Sequence, residues 1–232
     1  MVLKNRGFID DIDTVYYQKC NNHELFKMLN SNKAYDRTSA IRILSKRVPI
    51  DDLSLVLLDL LTKETALYTK LELSDALAKG TPKTCRMMIP YLGIIGSNQY
   101  KSIPDKVSKK ISYPLPRDII ARTISRMSVD CFDVMLEVLD SGDLTKISEG
   151  LDAIGFMAFY NKELKHLEHF NQIKDVTMKY RDNKLILWKC ITCFSAFPLE
   201  ESKQYLQLLK ASESHSTILL EIERSLKLIS ER

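Results

Sequence analysis

An all-α protein built from about six stacked helical hairpins is predicted by three observations. One apolar stripe recurs along the chain, second stripes alternate with it, and prolines fall where one stripe gives way to the next. The recurring stripe puts core residues at i, i+3 and i+4, which is one face of a helix. Its members are Ala40, Ile43 and Leu44; Leu73, Ala76 and Leu77; Ile120, Thr123 and Ile124; Gly150, Ala153 and Ile154; Leu187, Cys190 and Ile191; and Ile222, Ser225 and Leu226. Successive sets begin 33, 47, 30, 37 and 35 residues apart, the spacing expected of repeated helix pairs. The middle member is small in five of the six, Ile43 being the exception, so neighbouring helices can approach closely.

Residues 1–21 read as an amino-terminal extension, and 22–232 as the repeat region. Each set is preceded by another apolar helix: Leu25, Met28 and Leu29; Val56, Leu57 and Leu60; Cys85, Met88, Ile89 and Leu92; Phe132, Met135 and Leu139; Leu167 and Phe170; Tyr205, Leu208 and Leu209. Pro49, Pro82, Pro116 and Pro198 mark the junctions, where a missing N–H costs nothing in a first helical turn. Thr81-Pro82 supplies a capping hydroxyl followed by proline at the first helical position. Pro90 is expected to kink the helix it interrupts. A basic side chain stands three residues before four of the sets, as Arg37, Lys70, Arg117 and Lys184, whereas Ile147 and Leu219 hold that place in repeats four and six. A cation at a helix start opposes the helix dipole, so pairing with a neighbouring acidic group is expected.

The segment Arg37-Thr38-Ser39-Ala40-Ile41-Arg42-Ile43-Leu44 is similar to the second helix of a HEAT repeat, and the arrangement over roughly Asn22 to Ile229 resembles that family. The resemblance implies a right-handed α-solenoid, with first helices on the convex side and second helices lining a concave face that binds a macromolecule. Repeats four and six depart from the pattern at the basic position.

The longest interval holds about ten surplus residues in a stretch, 96–116, that contains Gly96, Pro104, Pro114 and Pro116 and cannot be one continuous helix. Repeat insertions often map to a binding face. This one carries Lys101, Lys106, Lys109 and Lys110 and runs into Arg117, Arg122 and Arg126. Those seven residues form a candidate electropositive surface for phosphates or an acidic protein. A solvated loop kept soluble by lysines accounts for the same charges.

Catalytic signals are absent. The four histidines, His23, His166, His169 and His215, show no triad spacing, and there is no glycine-rich phosphate loop. His166, His169, Cys190 and Cys193 are the clustered metal-type ligands, but the cysteines stand on an apolar helix face, where thiols behave as small hydrophobes. No metal and no cofactor is expected. Some HEAT-like proteins resemble alkyl-base DNA glycosylases, and Trp188, Asp152 and Arg122 can be cast in such roles by fold analogy, which is not an argument about a site.

Composition narrows the partner. With 45% hydrophobic and 28% charged residues the chain can bury a core, and its 34 basic against 30 acidic side chains, net +4, are too balanced for a dedicated nucleic-acid binder. Five cysteines, mostly inside apolar stripes, suit a reducing cytoplasm. Met1 to Gly7 lacks the apolar run of a signal peptide, and Leu53 to Leu61, the most hydrophobic stretch, is broken by Asp59 and too short to span a bilayer. The expectation is a non-catalytic scaffold whose partner is another protein, with nucleic acid as the alternative.

Overall fold

The computed structural model describes residues 2–232, and among them every regular element is helical. None of these helices is long and apolar enough to cross a membrane. The chain divides into two compact units, one ending at Met88 and the other beginning at Ile89.

The first unit contains α1 (Val2–Asn5), α2 (Asp11–Gln18), α3 (Asn22–Met28), α4 (Ala34–Arg47), α5 (Ile50–Lys63), α6 (Leu67–Leu77) and α7 (Pro82–Met88). Asp10 with Asp13 and Asn21 with Glu24 form capping boxes that start α2 and α3. The residues set apart as an extension therefore fold into two helices, and both pack against α4. Arg47 fastens the end of α2 by donating to the carbonyls of Gln18 and Cys20 at 2.6 and 2.7 Å. At the other junction, Thr81 Oγ1 accepts from the Lys83 amide at 3.2 Å, so the Thr-Pro pair opens α7 as its chemistry demands. Pro90 ends this helix instead of kinking it: α7 stops at Met88 and the chain tightens into a 3-10 turn over Ile89–Tyr91. A ring without an N–H cannot continue the α-helical ladder there.

The second unit contains α8 (Ile119–Ile124), α9 (Phe132–Glu137), α10 (Leu144–Tyr160), α11 (Leu167–Lys179), α12 (Lys184–Phe194), α13 (Glu200–Ser212) and α14 (Ser216–Ser230). α10 packs on α8 and α12, and α12 packs on α14, so the helices that carry the recurring stripe lie side by side in chain order. The stripe is their core. Of its eighteen members across both units, seventeen are buried and Leu226 is half-buried. Small stripe members mark close approaches: a Cβ on Gly150, the first of its set, would sit 3.2 Å from Val138 Cγ1, and Ser225 Oγ, a middle member, donates across to the Ile191 carbonyl at 3.0 Å.

The alternating stripes are rotated in places from their expected register. Val56, Leu167 and Leu208 are exposed, while Leu53, Leu58 and Leu206 are buried. Where leucines run consecutively, periodicity permits two adjacent faces, and packing chooses between them.

Two of the four basic residues expected to pair with acids, Arg37 and Lys184, do so. Arg37 makes two hydrogen bonds to buried Glu64, at 2.7 and 2.8 Å, and Lys184 reaches Glu213 at 3.2 Å. Each acid also accepts from the two main-chain amides that follow it. Glu64 accepts from the amides of Thr65 and Ala66 before α6, and Glu213 from those of Ser214 and His215 before α14.

Candidate functional site

The candidate site lies in the second unit, where the surplus segment crosses α10, α12 and α14. Its neck is closed by Asp118. One carboxylate oxygen caps α8 through the Ala121 amide at 2.8 Å, and the other accepts from Gly93 N at 3.2 Å and Gln99 Nε2 at 2.8 Å. Burial pushes this carboxyl above its ordinary range, against those three donors.

Further along, Tyr113 is buried beside α10, its ring centroid 5.6 Å from that of Phe159. Its phenol occupies the space over Gly155, where a Cβ would come within 1.8 Å of the hydroxyl oxygen. Arg224 of α14 then donates to the main-chain oxygens of Ser112 and Lys110, at 2.9 and 3.3 Å, while pairing with Glu221 at 2.8 Å. The segment is thus fixed at both ends and in the middle.

The expected basic residues fall into two groups. Lys101, Lys106, Lys109 and Lys110 are exposed on this segment and make no ion pair among the described residues. Arg117, by contrast, donates to the Asn98 carbonyl at 2.6 Å and lies 4.3 Å over the Tyr100 ring. Arg122 is half-buried and donates to the Pro116 carbonyl at 2.8 Å, and Arg126 is exposed just beyond α8.

Beneath the segment lies a buried charge cluster. Lys189 of α12 is fully buried, with Nζ 2.8 Å from Glu149 Oε1 and 3.0 Å from Asp152 Oδ2, both on α10. Burial and the Glu149 charge push the Asp152 carboxyl up to about 6, even with the ammonium beside it. Burial alone would lower Lys189, but the two carboxylates outweigh it and hold the ammonium above its ordinary value. Trp188, next along α12, meets the edge of Tyr100 with ring centroids 5.3 Å apart. Its indole Nε1 makes no hydrogen bond of normal geometry. A cavity of about 90 Å³ is lined by Tyr100, Lys106, Arg117, Asp152, Trp188 and Glu221. Trp188 and Asp152 therefore share a pocket, and its basic wall comes from Arg117 and Lys106, with Arg122 outside it.

A signal for this cluster was present in the repeat. The residue just before the middle stripe member is charged in every repeat: Arg42, Asp75, Arg122, Asp152, Lys189 and Arg224. The residue before the first stripe member is glutamate in repeats two, four and six, as Glu72, Glu149 and Glu221. Each of those glutamates meets a base from the first column. Glu72 pairs with Arg42 at 2.6 Å, Glu149 with Lys189, and Glu221 with Arg224.

No protein-family model matches this chain, and no curated protein matches it either. The metal-type residues are not assembled: no three His, Cys, Asp or Glu side chains among the described residues are placed to hold an ion. His169 Nδ1 is instead bonded to the Leu164 carbonyl oxygen at 2.8 Å. Cys190 and Cys193 are buried, and burial pushes the Cys190 thiol up to about 12, which leaves it an unreactive hydrophobe.

Proposed function

We propose that this chain is a non-catalytic binding protein of the HEAT-like α-solenoid kind, and that it holds an acidic protein surface through the lysines of segment 96–116. One observation carries the reading. Lys101, Lys106, Lys109 and Lys110 lack counter-ions, yet the backbone that presents them is pinned by Tyr113, Arg224 and Asp118. A solvated loop has no need of such anchoring. Presenting charge on an ordered segment reduces the entropy lost on association, and uncompensated charge speeds encounter with a partner of opposite sign. The solenoid reading is supported by the buried stripe and by charges that recur at the same repeat positions. Five free cysteines suit action in a reducing cytoplasm.

Nucleic acid is the alternative partner, and base excision is its most specific form, because Trp188 and Asp152 line one cavity. Two features weigh against excision. Lys189 already neutralises the carboxylate that would have to stabilise a developing cation, and about 90 Å³ is tight for a purine.

Titrating labelled poly-glutamate and random duplex DNA between about 50 and 200 mM salt separates these readings. The expected result is saturable poly-glutamate binding that weakens at least about tenfold when Lys101, Lys106, Lys109 and Lys110 are all changed to Ala. Tighter binding to duplex DNA with a steep salt slope would replace this reading with the nucleic-acid one.

A further inference from the structure

A second, larger cavity of about 460 Å³ opens beside the charge cluster, between the first turns of α10 and α12 and the turn at Gly93. It falls within the range typical of small-molecule sites. Glu149 lines it, and this carboxylate is unusual. Its side chain is 2% exposed, and Oε1 is engaged by Lys189 Nζ and by the Ser148 hydroxyl at 3.1 Å, but Oε2 has no hydrogen-bond partner. A buried carboxylate oxygen without a donor is expensive, because desolvation is uncompensated.

The surrounding charges specify the sign of what is missing. Asp118, Glu149 and Asp152 are all drawn into this region, and Lys189 is the one buried cation among them. The amino termini of α10 and α12, which would otherwise favour an anion, are already capped. Asp143 accepts from the amides of Thr145 and Lys146, and Asn183 accepts from that of Ile186. Lys101 stands at the rim but is exposed, so water screens its charge. Leu144, Leu185 and Ile186 provide an apolar wall.

From these features we infer that the cavity binds the primary ammonium group of a small organic amine, with Glu149 as counter-ion and the leucine–isoleucine wall holding a short alkyl chain. The ammonium supplies the N–H donor that Oε2 lacks and offsets the local excess of carboxylate. This site is separate from the lysine surface and does not depend on it.

Calorimetric titration of the full chain at constant ionic strength tests the inference, with n-butylammonium as the probe. Tetramethylammonium, which has the charge but no N–H, and inorganic phosphate serve as comparisons. Saturable one-to-one binding of n-butylammonium is expected, at least about tenfold tighter than tetramethylammonium, with no binding of phosphate. Thr145→Lys is the informative variant. Thr145 is exposed, lines the cavity and stands one helical turn before Glu149 on the same face, so the new ammonium is a tethered competitor. It should weaken n-butylammonium binding at least about tenfold without lowering the unfolding midpoint. Leu185→Trp, which fills the apolar wall, should abolish binding by a different route and covers the case in which Thr145→Lys does not fold. Absence of n-butylammonium binding, equal binding of tetramethylammonium, preference for phosphate, or undiminished amine binding by the folded variants would overturn the proposal.

Discussion

Two buried ion pairs, one in each unit, have opposite characters. In the first unit, Glu64 is 5% exposed and fully matched: both oxygens take donors from Arg37, and one also receives the Thr65 and Ala66 amides. Its carboxyl is accordingly held below the ordinary range, because Arg37 and those amides together outweigh a burial that would raise it. In the second unit, Lys189 faces two carboxylates, Asp152 is pushed up to about 6, and Glu149 Oε2 is left without a donor. The contrast separates a device that joins helices from a group poised to meet something else. Both join neighbouring helices, so the difference lies in the stoichiometry of charge.

The sharpest way to break the comparison is to remove each centre in turn. Lys189→Met leaves Glu149 and Asp152 buried without their cation and should cost about 3–5 kcal/mol. Trp188 is the chain's single tryptophan, so urea unfolding followed by its fluorescence reports on the second unit. Adding Glu149→Gln and Asp152→Asn to that variant should recover much of the loss, since the uncompensated charge goes with them. Glu64→Gln should cost about 2–3 kcal/mol, read by urea unfolding followed by circular dichroism. Hydrogen exchange should localise the damage to the amides of Thr65 and Ala66.

Anchoring of the basic segment is a smaller term. Gly155→Ala drives a methyl group into the Tyr113 phenol and should destabilise by about 1–3 kcal/mol. Trypsin should then cut faster after Lys106, Lys109 and Lys110 than it does in the wild-type chain; unchanged cleavage would show that Tyr113 is not the anchor.

Acid should act on the two centres in opposite directions. Because Asp152 is raised in the folded state, its contribution to stability is full below the unfolded carboxylate value and is lost as pH climbs through about 6. The Trp188-reported stability should therefore rise by about 1 kcal/mol from pH 7 to pH 5, and Asp152→Asn should flatten that rise. Glu64 is depressed, so its contribution is present above the ordinary carboxylate range and disappears as pH falls below it. The Arg37–Glu64 centre should therefore hold while the Asp152 centre strengthens between pH 7 and pH 5, and weaken only below the ordinary carboxylate range.

Much of this architecture was readable from residue order. The stripe from Ala40 to Ile222 marked six helices because its members recur at i, i+3 and i+4, and the excess length at 96–116 marked the irregular segment. The registers of α5 and α13 were not readable, since Leu57-Leu58 and Leu208-Leu209 offer two faces, and contact with neighbouring helices decides between them. The basic residues were visible as a set, but composition cannot distinguish Lys109, which stays in water, from Arg122, which is turned onto the Pro116 carbonyl. Lys189 was the least visible, because a lysine is ordinarily solvated and its burial depends on two carboxylates a repeat away. Alignment of the repeats on their stripe brings Asp152 and Lys189 to one position, which is the signal that finds them.

Affinity capture from extracts of the native host tests the proposed binding role most directly, comparing the wild-type chain with the variant in which Lys101, Lys106, Lys109 and Lys110 are alanine. Acidic proteins retained by the wild type at physiological salt, released as salt is raised and lost from the variant are the predicted result. Retention of the same proteins by the folded variant would contradict the assignment of segment 96–116 as the binding surface.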